Sequence, residues 1–313
     1  MRKPRIGMVG LGGIAQKAYL PILSKATDWE FVGAFSPNAV KRDQICSQYR
    51  MQSFTSLPAL IQESDAIFVH SSTDSHYAVV SEILNNGKDV YVDKPLAATV
   101  EEAEKLVELS EKYGRKLMVG FNRRFSPMYR RAKELAGDFT SFQFEKHRVN
   151  GVGPDDFQDT MLDDYIHLVD TARWIAGGEM RLAFPTIQLN KANHLIFAQH
   201  LFEIGAKAML TITMHRNAGT NLEEFKLITD GAVIRVTNMN AMEIVQNDML
   251  TIESPSSWET TLKQKGFEDA VHHFIACVIG DNQPSVDGAE GLKTQILVQQ
   301  LIAENGSIKT PYQ

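Results

Sequence analysis

A chain of 313 residues, 43% hydrophobic and 22% charged, has the composition of an ordinary globular protein and the length of two domains. With 32 Lys and Arg against 38 Asp and Glu, the formal charge of -6 offers no broad basic surface, which argues against nucleic-acid and membrane-surface partners. The two cysteines, Cys46 and Cys277, cannot frame a disulfide-rich secreted domain, and no run of about 18 apolar residues occurs to span a bilayer, so a cytoplasmic location is expected.

The basic start, Met1 to Arg5, precedes an apolar run too short and too glycine-rich for a signal peptide. Residues 6–10 read instead as a buried strand entering a turn. Across residues 1–121, short apolar runs alternate with helical periodicity, and the runs 5–10, 30–35, 52–54, 66–71, 89–93 and 116–121 are predicted strands. Thr99-Val-Glu-Glu reads as a capping box opening a helix, and Gly114 stands where its carboxyl-terminal cap belongs. Such a β-α-β series predicts a doubly wound parallel sheet with helices on both faces. Its ligand belongs beyond the carboxyl ends of the strands, where strand order reverses.

From about Phe142 the pattern changes to longer alternating runs, at 194–202, 206–215 and 224–236, the last broken by an Asp230-Gly231 hairpin signal. Helical stretches are expected at 160–175, 266–278 and 288–303. Residues 122–313 thus read as an α+β domain with a large, mainly antiparallel open sheet, appended to an α/β domain over 1–121. An open sheet face needs covering, so a homodimer or homotetramer through the second-domain sheet is expected.

Gly10, Leu11, Gly12, Gly13, Ile14 and Ala15 follow a predicted strand and open a helix, matching G-x-G-x-x-G/A with alanine in third place. Glycine permits the turn and close approach of a ligand, and a helix start presents unpaired N–H groups to a pyrophosphate. A turn of this kind can also simply pack a helix on a sheet. At the end of the second strand, where a carboxylate would bond the ribose 2′-OH of NAD, the chain has Ser36, with Lys41 and Arg42 one helical turn on. This suits NADP better than NAD, unless Lys41 and Arg42 are only a solvated helix face.

Lys94 ends the fifth strand in Asp93-Lys94-Pro95, and Pro95 restricts the backbone that aims the amine. On the helix from Thr160, Asp163 and His167 lie four residues apart, with Asp170 and Trp174 continuing nearly the same face. A carboxylate beside an imidazole orients a general base, though an exposed intrahelical pair fits the spacing too. No ligand cluster accompanies the pair, so no metal is expected. His147, Arg148, His215 and Arg216 form two His-Arg pairs at predicted strand ends, suited either to an anionic or hydroxyl-rich ligand or to a surface or dimer contact.

Taken together these motifs resemble the Gfo/Idh/MocA oxidoreductase family over nearly the whole chain. The glycine turn, the loop from Ser71 to His76, Asp93-Lys94-Pro95 in place of a Glu-Lys-Pro signature, residues 120–125 and Asp163-x-x-x-His167-x-x-Asp170 follow in the family's order. Residues 68–73, 146–148, 152–154, 162–165 and 214–216 look closer still to its MviM-like branch. The resemblance implies a Rossmann domain binding NAD(P) and hydride exchange with a sugar, polyol or related alcohol or carbonyl. By the same resemblance Lys94 would bond the reacting oxygen, His167 would act as general base, and Asp163 would position it. Ser71, Ser72, Thr73 and His76 would line the nicotinamide-ribose side, Asp93 would help set up the cofactor site, and Asn122 and Arg123 would border the cleft between domains. His147 and Tyr165 are further candidate substrate contacts, Tyr165 standing where many members have glycine. A redox-neutral, glycosidase-type use of the cofactor and a nucleotide-binding regulator without turnover are the alternatives within the family.

Overall fold

The computed structural model describes residues 2–25, 28–206 and 208–304. The chain forms two compact units, one of Met1–Phe121 with Phe267–Gln295, the other of Asn122–Gly266 with the described residues from Ile296 onward.

In the first unit, β1 (Arg5–Val9), β2 (Glu30–Phe35), β3 (Gln52–Phe54), β4 (Ala66–Val69), β5 (Asp89–Val92) and β6 (Leu117–Val119) make one parallel sheet in the order β3-β2-β1-β4-β5-β6. All six predicted strands are present. Every residue of β4 and β5 is buried, as strands covered on both faces require. Strand order reverses between β1 and β4, which puts the ligand-binding crevice at the ends of these two strands. Because β4 stops at Val69, His70 and Ser71 are released into the loop there. The helix Val100–Tyr113 has both caps the sequence indicates: the Thr99 side chain accepts from the Glu102 N–H, and Gly114 closes it at φ +59°.

Residues 267–295, expected in the second domain, join the first sheet instead. The helix Phe267–Gly280 brings the Phe274 ring edge-on to Phe68 and Tyr91, with centroids 5.4 and 5.7 Å apart. The Val119 N–H donates to the Val286 carbonyl at 2.9 Å, and the Gln295 amide donates to the Ala97 carbonyl at 2.8 Å. The apolar stripe of this helix identified a buried face but not the sheet that buries it.

The second unit holds β7 (Phe139–His147), β8 (Met180–Leu189), β9 (Leu195–Ile204), β10 (Ala208–His215), β11 (Leu222–Thr229), β12 (Val233–Thr237), β13 (Ala241–Gln246) and β14 (Met249–Glu253) in the order β14-β13-β12-β11-β7-β10-β9-β8. Pairing is antiparallel except between β7 and β10, which run parallel. β8, β13 and β14 were not anticipated. Alternation puts Phe142, Phe144 and Lys146 on one face of β7, opposite Leu227, Phe225 and Glu223 of β11. All six are buried. This face therefore runs from a phenylalanine core into a buried charged end.

Candidate active site

In the first unit the glycine turn has the shape a dinucleotide requires. Gly10 has φ +88°, and a Cβ there would lie 2.5 Å from backbone atoms of His70 and Ser71, so only glycine lets the β1 turn approach the end of β4. A Cβ on Gly12 or Gly13 would meet nothing within 4 Å; these two backbones border open space at a helix start. Leu11 is buried beneath the turn and Ile14 is 40% exposed above it. The helix opens with a π-helical segment, Ala15–Tyr19, in which the Leu20 N–H reaches the Ala15 carbonyl. Pro21, which has no N–H and whose ring crowds the carbonyl four residues back, accounts for the widened turn.

At the end of β2, Ser36 is half-buried and Lys41 is exposed, while Arg42 is buried. The Arg42 Nε donates to Ser53 Oγ at 2.8 Å and to Asp43 Oδ1 at 3.1 Å, and its Nη1 donates to the Ser36 carbonyl at 3.3 Å. Arg42 thus braces the Ser36 loop rather than reaching out to a phosphate.

Beyond β5, Asp93 Oδ1 accepts from the Lys94 N–H at 2.8 Å, and the Lys94–Pro95 bond is cis. Burial acts to raise the Asp93 pKa, but the neighbouring His70 imidazole and Lys94 ammonium outweigh it and hold the carboxyl below its usual value. His70 was not anticipated as a site residue. Its ring stacks on Tyr19 with centroids 3.8 Å apart, and Nδ1 lies 3.8 Å from Asp93 Oδ2. Neither ring nitrogen has a hydrogen-bond partner among the described residues. Behind it the Tyr19 and Tyr91 hydroxyls meet at 3.1 Å, and burial raises both phenol pKa values, keeping them neutral.

Ser71, Ser72 and Thr73 are exposed or half-buried at the start of the helix Thr73–Asn85. His76, expected beside them at the cofactor, is 1% exposed. Its Nδ1 lies 2.9 Å from the Pro95 carbonyl and its Nε2 3.2 Å from that of Ser71. Burial lowers its pKa against both carbonyls, and a neutral imidazole donates its one N–H to one of them, so His76 is packed between the Lys94–Pro95 turn and the β4 loop instead of facing a ligand.

In the second unit the helical run is Phe157–Thr160, a π-helical segment Met161–Tyr165, and Ile166–Ala176. Asp163 is exposed and His167 half-buried. Asp170 is buried and takes Arg124 in a two-pronged pair, 3.0 Å from Nε and 2.6 Å from Nη2. Tyr165 is fully buried; its hydroxyl bonds His200 Nδ1 at 2.6 Å and the Ile212 carbonyl at 3.3 Å, so it is a core residue and not a ligand contact. Two more expectations are corrected in the same way. The Asn122 amide donates to the Lys265 carbonyl at 2.8 Å, and Arg123, 9% exposed, pairs with Glu223 through two bonds of 2.7 Å. His147 accepts from the His215 N–H at 3.2 Å and has Glu145 3.3 Å from its Nε2.

The neighbouring residue Asp164, which the sequence presents only as part of an acidic turn, is the hub of the charged end of the sheet. Lys146 Nζ lies 2.5 Å from Oδ1, Arg148 bonds both oxygens at 2.8 and 3.1 Å, and Arg216 Nη1 bonds Oδ2. Despite burial, Lys146 and Arg148 hold the Asp164 carboxyl far below the usual range. Burial with Arg123 nearby lowers Lys146 to about 8, against the pull of Asp164 and Glu223. Among the described residues no group of three or more His, Cys, Asp or Glu is placed to hold a metal ion, and no helix is long and apolar enough to cross a membrane.

Comparison with known proteins agrees with this geometry. Residues 4–121 match the model of the Gfo/Idh/MocA oxidoreductase family, NAD-binding Rossmann fold, and residues 127–247 match the YceM-like C-terminal domain. The chain is 46% identical to the YceM protein of Salmonella typhimurium, covering 96% of this chain and 98% of that one. It is 28% identical to an inositol 2-dehydrogenase/D-chiro-inositol 3-dehydrogenase of Halalkalibacterium halodurans, over 90% of this chain and 85% of that one. The crystal structure of a dehydrogenase, MviM, from Clostridium difficile superposes with a TM-score of 0.95 at 44% identity, covering 97% of this chain and 100% of that one. With a dinucleotide-shaped glycine turn at the strand-order reversal and relatives that match along the full length, the chain belongs to the Gfo/Idh/MocA family and is an NAD(P)-binding dehydrogenase.

Proposed function

We propose that the protein is an NADP-preferring dehydrogenase that exchanges hydride with a sugar, a polyol or a related alcohol or carbonyl compound. The observation that carries this reading is the pairing of an open glycine turn at β1 with Asp93-Lys94-Pro95 beyond β5, on either side of the β4 end. The relative named for inositol, a polyol, supports the substrate class.

Gly10, Gly12 and Gly13 hold the pyrophosphate, Ser36 and Lys41 receive the ribose 2′-phosphate, and Ser71, Ser72 and Thr73 line the nicotinamide-ribose side. The nicotinamide, when bound, supplies the hydride acceptor or donor. Lys94 donates a hydrogen bond to the reacting oxygen, with Asp93 and His76 fixing the turn that carries it. His167 takes the hydroxyl proton in oxidation and returns it in reduction, and Asp163 positions the imidazole. Both cysteines are buried free thiols, in keeping with a reducing cytoplasm. A second copy of the chain covers the open face of the second-unit sheet, giving a homodimer or homotetramer.

The reading is tested by screening sugars and polyols for change in nicotinamide absorbance. With a turned-over substrate in hand, Lys94→Ala and His167→Ala are expected to lower turnover by ~100-fold or more while NADPH affinity stays within a few-fold. Equal loss of cofactor affinity in both variants would remove these residues from the proton-transfer role.

A further inference from the structure

Resting on the dehydrogenase reading, we infer that the substrate carries an oxyanion, a carboxylate or a phosphate group, and that Lys146, Arg148 and Arg216 bind it. Elsewhere in this unit Arg123 pairs with Glu223, which Lys146 approaches at 3.9 Å, and Arg124 pairs with Asp170. Asp164 instead serves three cations, so this end of the sheet carries two positive charges in excess. Lys146 and Arg216 are largely withdrawn from water, where excess positive charge is costly, and an anionic ligand beside them removes the imbalance.

Unused donors point the same way. Lys146 Nζ has three N–H groups on a side chain 3% exposed; Asp164 lies 2.5 Å away as its ion-pair partner, and Glu223, the next carboxylate, is 3.9 Å away. Arg148 bonds Asp164 through Nε and Nη2, and Arg216 bonds Gly151 and Asp164 through Nε and Nη1. Arg148 Nη1 and Arg216 Nη2 therefore have no protein acceptor among the described residues. The cluster is also reachable, since the Arg148 side chain is 38% exposed and that of Arg216 14%.

Local geometry holds the two guanidinium groups together. The Gly151 carbonyl accepts from Arg216 Nε at 2.8 Å, and a Cβ on Gly151 would meet the Arg148 Cβ at 2.9 Å. Position along the helix links the cluster to the chemistry. Asp164 precedes His167 by three residues on one helical run. An oxyanion held beside Asp164 is then carried by the same helical run as the imidazole proposed as base, which favours a sugar acid or sugar phosphate over a neutral polyol.

The test is calorimetric titration of the full-length protein with inorganic phosphate and, separately, with gluconate. Ionic strength is held with chloride, and the titrations are run with and without saturating NADP. Saturable binding is expected with NADP present. It should weaken by about tenfold or more in Arg148→Ala and by less in Arg148→Lys, while the thermal midpoint and NADP affinity of both variants stay close to wild type. Binding of phosphate alone or of gluconate alone would identify which oxyanion the site takes. No saturable binding of either, or equal binding in Arg148→Ala, would overturn the inference. Absence of NADP binding would count against the dehydrogenase reading instead, and the Arg148 dependence of phosphate binding would still decide the oxyanion site.

Discussion

In the proposed reading Ser36 stands where a carboxylate would reject a 2′-phosphate, and the Arg42 bond to its carbonyl fixes the loop around it. Ser36→Asp is therefore expected to reverse cofactor preference from NADP to NAD, read as the ratio of the two dissociation constants; an unchanged ratio would show that the 2′-position is recognised elsewhere. Single residues were legible where backbone chemistry restricts the choice, as at Gly10, Gly114 and Pro95. They were not legible where a partner distant in the chain decides the role. Tyr165 and His167 both look available on one helix, yet the Tyr165 hydroxyl is held by His200, 35 residues on. His76 and Arg123 read as ligand contacts until the Pro95 carbonyl and the Glu223 carboxylate are found beside them.

At the scale of elements, strands buried on both faces were the most legible, because an unbroken apolar run bounded by turns has few other readings. β8 and β14 escaped detection for the opposite reason. They are the two edge strands, and the half-exposed pattern of β8, with Pro185 inside it, resembles a loop. The buried face of β9 and β10 carries its own titratable group. His200 is fully buried, its Nε2 has no partner among the described residues, and burial lowers its pKa from 6.5 to about 4. A histidine with a depressed folded-state pKa stays neutral in the native protein while its unfolded counterpart takes up a proton. Stability is thus expected to fall as pH drops from about 6.5 to about 4, by about 1–2 kcal/mol at pH 5. Urea unfolding at pH 7 and pH 5 reads this; His200→Gln should shrink the difference, and an undiminished difference would assign the acid sensitivity to other groups.

For the whole molecule, the β-α series ending at residue 121 was legible in the sequence, whereas the return of residues 267–295 to the first unit was not. Helical periodicity marks an apolar face without naming what it packs against. The open face of the large sheet carries Gln143, Glu145, Gln199, Thr211 and Thr213, with Phe184 61% exposed. If a second copy covers it, light scattering on the eluting protein will give a dimer or tetramer mass, and Phe184→Glu will shift that mass downward; a monomeric wild type would refute the pairing. The cofactor site is the element on which every proposed role depends. It is tested most directly by titrating NADPH and NADH in parallel and following nicotinamide fluorescence. Saturable binding, with NADPH tighter than NADH by about tenfold or more, is the predicted result; binding of neither nucleotide would contradict the account at its centre.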